Sequence, residues 1–202
     1  MLLLGALIIY SSTFLAECGP AVNPETTQAV IRVESAGNPL AIGDNTLKKS
    51  FAPKTIAEAV EIASRLIAQG HSVDVGLMQI NSCHIPTQKL TLAELFDPCK
   101  NIRTGTGILA DFYRQHKTGD PVQSLFRALS AYNTGQAWKG AGYINRILEA
   151  AGASYRVSPP QGEFPLKAEA TPKPKPRTLR ESAAASPLFF DNLSSSMRAA
   201  EP

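Results

Sequence analysis

The sequence predicts a mainly helical protein, with one domain and an appended tail. Apolar residues recur at helical spacing through the middle of the chain, as at Ile56, Ala59 and Val60. An uncharged apolar stretch covers residues 1–16, and a Pro-rich stretch follows Gly152. The chain has 202 residues, of which 44% are hydrophobic and 18% charged, enough for one core of ordinary size.

Residues 1–16 are typical of an export signal. They carry no charged side chain and end at Ala16, just before the first acid, Glu17. A retained membrane anchor is the alternative, but this run is shorter than the roughly 20 residues that cross a bilayer. We therefore predict a signal peptide over 1–16, cleavage near Ala16, and no membrane span afterwards.

The three cysteines, Cys18, Cys83 and Cys99, fit an exported protein with one disulfide and one remaining thiol. Their spacing does not select the pair. Three unpaired cysteines in a reducing compartment is the alternative, if the chain is not exported.

Charge and histidine content exclude several classes of function. The net charge is +3, the Lys and Arg are scattered, and no base-reading motif is present, so a nucleic-acid partner is not indicated. An anionic polymer remains open. His71 and His84 are too far apart for a zinc pair, and Cys83-His84 alone is too weak a signal, so no metal or cofactor is predicted.

The first helix carries the candidate acid. Asn23 can cap a helix that begins at Pro24, and Gly37 fits the position just past its last turn. Glu34 lies four positions after Val30, on the flank of the apolar stripe. Apolar surroundings favour the protonated form of a carboxyl group, as a general acid requires. A half-exposed surface Glu is the competing interpretation.

Further elements follow the same signals. Capping boxes at Thr55 and Thr91 predict two helices, and residues 102–113, 121–134 and 143–150 predict three more, while residues 40–54 show no sustained period and are predicted as a loop. Residues 73–81 alternate apolar and polar side chains around a Gly. They predict either an ordinary edge strand or an extended segment that faces a ligand.

The last part of the chain differs in composition. Of the 15 prolines, 8 lie within residues 156–202. Such a segment buries too little apolar surface to order itself, so residues 153–202 are predicted as a disordered tail. The Lys-Pro alternation of residues 171–176 favours extended conformations that suit docking on a partner.

Four motifs occur together: Val33-Glu34-Ser35, Gly-Leu-Met-Gln-Ile-Asn at 76–81, Ala-Tyr-Asn-Thr-Gly at 131–135, and Tyr143. They resemble, in the same order, the motifs of soluble lytic transglycosylases of the lysozyme-like fold, over roughly residues 18–151. The resemblance implies a mainly α domain of the goose-type lysozyme class at residues 17–152, with a minor extended segment.

Three local features resemble one branch of that family. They are Cys18-Gly19-Pro20, Asn-Pro-Leu-Ala-Ile at 38–42 and Phe-Asp-Pro-Cys at 96–99. They look most like the specialised transglycosylases of type IV secretion and conjugation systems. This implies a periplasmic location, secretion components as partners of the tail, and a disulfide between Cys18 and Cys99, leaving Cys83 free.

The resemblance also implies roles for single residues. Glu34 would protonate the glycosidic oxygen after N-acetylmuramic acid in peptidoglycan and then act as base, so that the sugar closes on its own hydroxymethyl oxygen and leaves an anhydromuramoyl end. The implied substrate-binding residues are Ser35, Met78, Gln79, Ile80, Asn81, Tyr132, Asn133 and Tyr143. Ser35 would bond near the acid or to the peptide-bearing sugar, Met78 would form an apolar wall, and Gln79 would bind polar groups of the glycan. Ile80 and Asn81 would support the strand, and Asn133 would hold the polar corner at the end of its helix. Tyr132 would direct its hydroxyl toward the acid or the reacting sugar, and Tyr143 would line the groove. Core packing with an incidental hydrogen bond is the competing interpretation of Tyr143.

Two alternatives remain at this level. A hydrolytic muramidase normally uses a second carboxylate, and Asp44 and Asp74 are the acids near the motifs that could serve. We expect Asp74 to be structural, because it adjoins the strand and can satisfy loop donors. A wall-binding scaffold without activity is the other alternative.

Overall fold

The computed structural model describes residues 9–85, 89–159 and 164–168. Its α-helices are α1 (Ser12–Cys18), α2 (Pro24–Ser35), α3 (Ile56–Ala68), α4 (Leu92–Leu95), α5 (Pro98–Gln115), α6 (Pro121–Thr134) and α7 (Ala141–Ala150), and a short 3₁₀ helix covers Ser82–His84. Within these described ranges no helix is long and apolar enough to cross a bilayer. The predominance of helix agrees with the predicted class.

A four-stranded antiparallel sheet has the order β2-β1-β3-β4. Its strands are β1 (Ile42–Asp44), β2 (Lys49–Phe51), β3 (Val73–Val75) and β4 (Ile80–Asn81). The prediction of a loop over residues 40–54 is therefore wrong, because β1 and β2 form a hairpin there. Strands β1 and β2 have only three residues each, too few to show a period, and β1 is held by its distant partner β3.

The chain divides into two compact units. Among the described residues, the first comprises 9–20, 30–85 and 89–106, and the second comprises 21–29, 107–159 and 164–168. The core of the first includes Ile31, Ile42, Leu77, Met78, Ile80, Phe96 and Ile102, and that of the second includes Leu109, Phe126, Leu129, Ile144, Ile147 and Phe164.

Local capping explains where several helices begin. The Thr55 hydroxyl accepts the Glu58 N–H at the start of α3. At α4 the full capping box forms, with the Thr91 hydroxyl and the Glu94 carboxylate each accepting a backbone N–H of the other residue. Asp120 caps α6, which ends at Gly135 with φ of 70°. These starts lie where the sequence predicts them.

Helix α1 runs through the predicted signal cleavage position. It begins after the cap residue Ser11, whose hydroxyl accepts the Phe14 N–H, and it continues to Cys18. Leu15 is 1% exposed and belongs to the core of the first unit. Cleavage near Ala16 stays a prediction, and a cut there would remove Leu15 from that core.

Ordered structure continues past the predicted domain boundary at residue 152. Strand β5 (Tyr155–Val157) pairs antiparallel with β6 (Leu166–Ala168), and Phe164 is fully buried. The Pro-rich composition conceals this hairpin, because its anchors are single residues separated by polar sequence. Residues 160–163 and 169–202, the rest of the predicted tail, lie outside the described residues.

A disulfide joins Cys18 at the end of α1 to Cys99 at the start of α5, and Cys83 is a free, exposed thiol. This is the pairing that the resemblance implies. The bridge closes a loop with a sequence separation of 81. It therefore ties the N-terminal helix to the part of the chain that follows the sheet.

Reduction of this disulfide should lower the free energy of unfolding by about 4 kcal/mol, because a cross-link over a long loop restricts the unfolded chain. Urea unfolding of the Cys18→Ser/Cys99→Ser double variant measures the loss. Cys83→Ser is the matched control and should unfold like the wild type. Equal stability of the double variant and the wild type would contradict this account.

Candidate active site

Glu34 lies in the last turn of α2, at the point where the helix is stopped. Asn23 accepts the Glu25 N–H at 2.8 Å and so caps the helix start. Ala36 and Gly37 both have positive φ, 52° and 83°, directly after Ser35. Glu34 is half-buried, which leaves part of its side chain accessible. The carboxyl group is thus presented at a fixed helix end.

The neighbouring Ser35 links this helix end to the connection between β3 and β4. Its hydroxyl donates to the carbonyl of Leu77 at 2.8 Å, with the Ile31 carbonyl at 3.2 Å, and accepts the Gly37 N–H at 3.2 Å. A hydroxyl has one hydrogen to donate. In this structure the Ser35 hydroxyl hydrogen is donated to protein carbonyls. This disfavours a hydrogen bond from Ser35 to a sugar.

Residues 76–79 form the tight connection between β3 and β4, hereafter the turn. Gly76 donates its N–H to the Ala41 carbonyl, and the Gln79 N–H donates to the Gly76 carbonyl. The Gln79 side chain donates from Nε2 to the carbonyls of Gly76 at 2.9 Å and Ala41 at 3.2 Å. Its amide is therefore held in one orientation and only half-buried, as a ligand-binding group requires.

Two predicted substrate-binding residues are buried instead. Met78 is 0% exposed and Ile80 is 1% exposed. A side chain without accessible surface does not form the wall of a groove, so the structure contradicts the wall role predicted for Met78. For Ile80 the burial agrees with support of the strand. Ile80 packs in the core because alternate strand residues point inward.

Asn81 is occupied by the sheet itself. Its Nδ2 donates to Asp74 Oδ1 at 2.6 Å and to Ser72 Oγ at 2.9 Å, and its Oδ1 accepts the Cys83 N–H at 3.0 Å. Asp74 also accepts from Asn45 Nδ2 at 2.7 Å. The pKa of Asp74 lies above its ordinary value, because burial raises it more than the hydrogen bonds from Asn45 and Asn81 lower it. Asn81 and Asp74 thus hold the strand ends together.

Asp44 organises the hairpin between β1 and β2. It is 2% exposed, and its Oδ1 accepts the N–H groups of Thr46 at 2.9 Å and Leu47 at 3.1 Å, while Oδ2 lies 2.9 Å from His71 Nδ1. Burial raises the pKa of Asp44, but the hydrogen bonds from Leu47, His71 and Thr46 outweigh it, and the pKa lies below its ordinary value.

Asp44 and Asp74 point to opposite faces of the sheet. Gly43 pairs with Asp74, whereas Asp44 pairs with Val73. Directly opposed residues share a face, and successive residues in a strand alternate between faces. The two carboxylates named as second acids therefore serve two different structural networks.

Stability should fall in acid partly through Asp44. The pKa of Asp44 is lower in the folded protein than in the unfolded chain, where it is about 3.9. Ionised Asp44 therefore stabilises the fold at any pH above the unfolded pKa. This stabilisation is lost as the pH falls through the lower pKa of the folded protein. Urea unfolding at pH 6 and pH 3 should show a smaller difference for Asp44→Asn than for the wild type.

Two features make this comparison specific. The pKa of Glu94 is lowered to about 2 by Lys100 and Thr91, so some acid dependence persists in every variant. Asp111→Asn removes an exposed acid that pairs with Arg114 and should keep the wild-type difference. If Asp44→Asn lost as much stability between pH 6 and pH 3 as the wild type, Asp44 would have no part in the acid dependence.

The remaining predicted residues lie in the second unit, around the junction of α6 and α7. Tyr132 is half-buried and Asn133 is exposed in the last turn of α6, and Tyr143 is 2% exposed in α7. Arg146 lies over the Tyr143 ring, 5.5 Å from its centroid. Tyr143 thus packs mainly in the core, as its competing interpretation requires.

Ser130 holds this junction and was not predicted from the sequence. It is fully buried, its hydroxyl donates to the Gln136 carbonyl at 2.6 Å, and it accepts the Gly140 N–H at 2.8 Å. A Ser within a buried helical stripe is the signal that could have indicated it, because a buried hydroxyl needs partners.

Comparison with known proteins agrees with these features. Residues 11–143 match the transglycosylase SLT domain. The chain therefore belongs to the SLT transglycosylase family, which confirms the predicted family and fold class. The match begins at residue 11, so it includes α1.

Among its relatives, the chain is 38% identical to Protein virB1 of Agrobacterium fabrum over 143 residues, which cover 69% of this chain and 58% of that protein. It is 34% identical to type IV secretion system protein virB1 of Brucella abortus over 145 residues, covering 67% and 61%. Invasion protein IagB of Salmonella typhimurium is 28% identical over 139 residues, covering 67% and 69%. The chain thus spans about three fifths of the length of these virB1 relatives. No solved structure matches it.

Proposed function

We propose that this protein is a lytic transglycosylase that cleaves the bond between N-acetylmuramic acid and N-acetylglucosamine in peptidoglycan. Glu34 donates its proton to the glycosidic oxygen as the bond to the anomeric carbon breaks. The hydroxymethyl oxygen of the same muramic residue then bonds to that carbon, and its proton passes to the Glu34 carboxylate. The product is an anhydromuramoyl end, and Glu34 is again protonated.

One observation favours ring closure over hydrolysis. Both acids that could serve as a second carboxylate, Asp44 and Asp74, are already hydrogen-bonded to other groups of the protein. Asp44 is buried against His71 and loop N–H groups, and Asp74 accepts from Asn45 and Asn81. A hydrolase of the ordinary kind needs a second carboxylate that activates water or attacks the sugar. An intramolecular nucleophile needs only correct positioning, since it is already attached to the substrate.

Three of the other motif residues, Gln79, Tyr132 and Asn133, act as glycan contacts in this proposal. Gln79 offers a held, half-buried amide, and Tyr132 and Asn133 are accessible at the end of α6. Tyr143 supports that corner from α7, and Ser35 fixes the turn to the helix that carries the acid. No cofactor takes part in this mechanism.

Digestion of purified peptidoglycan, followed by mass spectrometry of the soluble fragments, tests this function. Anhydromuramoyl ends support the proposal. Reducing muramic ends would replace it with a hydrolytic muramidase. No fragments, with retained binding to the wall, would replace it with a scaffold.

We also propose that the enzyme acts in the periplasm, where it opens the wall for a type IV secretion or conjugation apparatus. Its similarity to virB1 proteins, one of them named a type IV secretion system protein, supports this assignment. The segment after Ala168, with its Lys-Pro alternation, would contact components of that apparatus.

Truncation after Ala168 should leave wall cleavage in vitro unchanged and lower transfer in cells, because it removes only the proposed partner-binding segment. Transfer efficiency of a complemented deletion strain measures the second effect. Weaker cleavage by the purified truncated protein would mean that the segment serves catalysis instead.

A further inference from the structure

A buried amide on α5 holds the turn, and the function proposed above does not use it. Asn101 is 0% exposed. Its Oδ1 accepts the Met78 N–H at 2.8 Å, and its Nδ2 donates to the carbonyls of Leu95 at 2.7 Å and Val75 at 3.0 Å. Both donor hydrogens and one acceptor of the side chain are thus used, on the end of β3, the turn and the end of α4.

Two glycines make room for this arrangement. A Cβ at Gly76 would lie 2.1 Å from Asn101 Nδ2, and Gly76 has φ of 78°. A Cβ at Gly105 would lie 2.6 Å from Met78 Sδ. Asn101 and Gly105 are four residues apart on α5 and therefore share a face. One holds the Met78 backbone while the other leaves space for its side chain.

The turn needs such support because its backbone is strained. Gln79 has φ of 48°, in the left-handed region that a residue with a side chain rarely adopts. The Gln79 amide is oriented by bonds to Gly76 and Ala41, so it moves with the turn. Ser35 fixes the turn from α2, and Asn101 fixes it from α5.

We infer that Asn101 is a positioning residue for glycan binding, acting through the backbone of Met78 on the orientation of Gln79. This inference rests on the proposed function. The position requires two donors and one acceptor on a short side chain. Asp is the same size, but its carboxyl group has no donor when ionised and one when protonated, so an acceptor oxygen would face at least one of the carbonyls of Leu95 and Val75. Gln is too long for the space beside Gly76.

The test uses the full chain in a Glu34→Gln background, so that the sugar is bound and not cleaved. Isothermal titration with the N-acetylglucosamine tetramer gives the dissociation constant. Asn101→Asp should weaken binding about tenfold at a temperature where circular dichroism shows the variant folded, because a small displacement of a binding group has large effects. With Glu34 intact, the same change should raise KM for soluble glycan chains more than it lowers kcat.

Gln123→Glu is the matched control. Gln123 is also a buried amide with two backbone partners, the N–H and carbonyl of Phe164 in the second unit. The Gln123→Glu variant should lose stability but keep the dissociation constant within about twofold of the parent, since the backbone groups that Gln123 holds belong to Phe164 and not to the turn. Equal weakening in both variants, or none in Asn101→Asp, would overturn the positioning role.

A second variant covers the case in which Asn101→Asp fails to fold. Gly105→Ala keeps every hydrogen bond of Asn101 but pushes on the Met78 side chain, and it should weaken binding in the same direction. Unchanged binding by Gly105→Ala would then overturn the inference. Absence of binding by the Glu34→Gln parent would overturn the proposed glycan function itself, which separates the two failures.

Discussion

Peptidoglycan treated with the Glu34→Gln protein should release no soluble fragments above background, a loss of about 10³-fold or more relative to the wild type. The amide has nearly the shape of the acid, but it does not donate a proton to the glycosidic oxygen or accept one from the hydroxymethyl group. Both halves of the reaction therefore lose their proton carrier. Release of fragments over time, measured by chromatography, gives the rate.

Glu25→Gln is the matched control for this prediction. Glu25 is exposed in the first turn of the same helix, α2, so its replacement makes the same acid-to-amide change at the opposite end. It should keep the wild-type rate. The Glu34→Gln protein should also unfold at an unchanged urea concentration, because half-buried Glu34 is not part of a core. Cleavage at a rate near that of the wild type would remove Glu34 from the mechanism.

Truncation after Gly152 should lower the free energy of unfolding by about 5 kcal/mol, a large share of the roughly 5–15 kcal/mol of a typical domain. Phe164 is fully buried, edge-on to Phe126 and stacked on Trp138. Its removal exposes this aromatic surface. It also leaves the buried amide of Gln123 without the N–H and carbonyl of Phe164.

A second amide pins the same hairpin. Asn145 in α7 donates to the Val157 carbonyl at 2.9 Å and accepts its N–H at 2.7 Å. Truncation after Ala168 keeps both pairs and should have the stability of the full chain, as urea unfolding will show. Equal stability of the two truncated proteins would mean that the hairpin adds nothing to the fold.

The sequence predicts helices well here because their signals are local. Thr91 and Glu94 lie three residues apart and form the capping box that their spacing predicts. The sheet and the hairpin after Gly152 depend on partners far away in the chain, such as Gln123 for Phe164 across 41 residues. Composition alone therefore does not indicate the paired strands Tyr155–Val157 and Leu166–Ala168.

In the candidate site, too, the features with local sequence signals are predicted and those that depend on distant partners are not. Motifs indicate Glu34 and the turn, because each is a short run of adjacent residues. They do not indicate that Met78 is buried or that Asn101 holds it, since these facts depend on a helix 23 residues further along the chain. A side chain that bonds to backbone groups far away in the chain carries no local pattern.

The most direct test of ring closure is digestion of peptidoglycan by the full chain in water enriched in heavy oxygen. In the proposed reaction the new bond to the anomeric carbon comes from the sugar's own hydroxymethyl oxygen. The fragments should therefore be lighter than reducing fragments by one water and should carry no heavy oxygen at the new end. Reducing ends that contain solvent oxygen would contradict ring closure and identify water as the nucleophile.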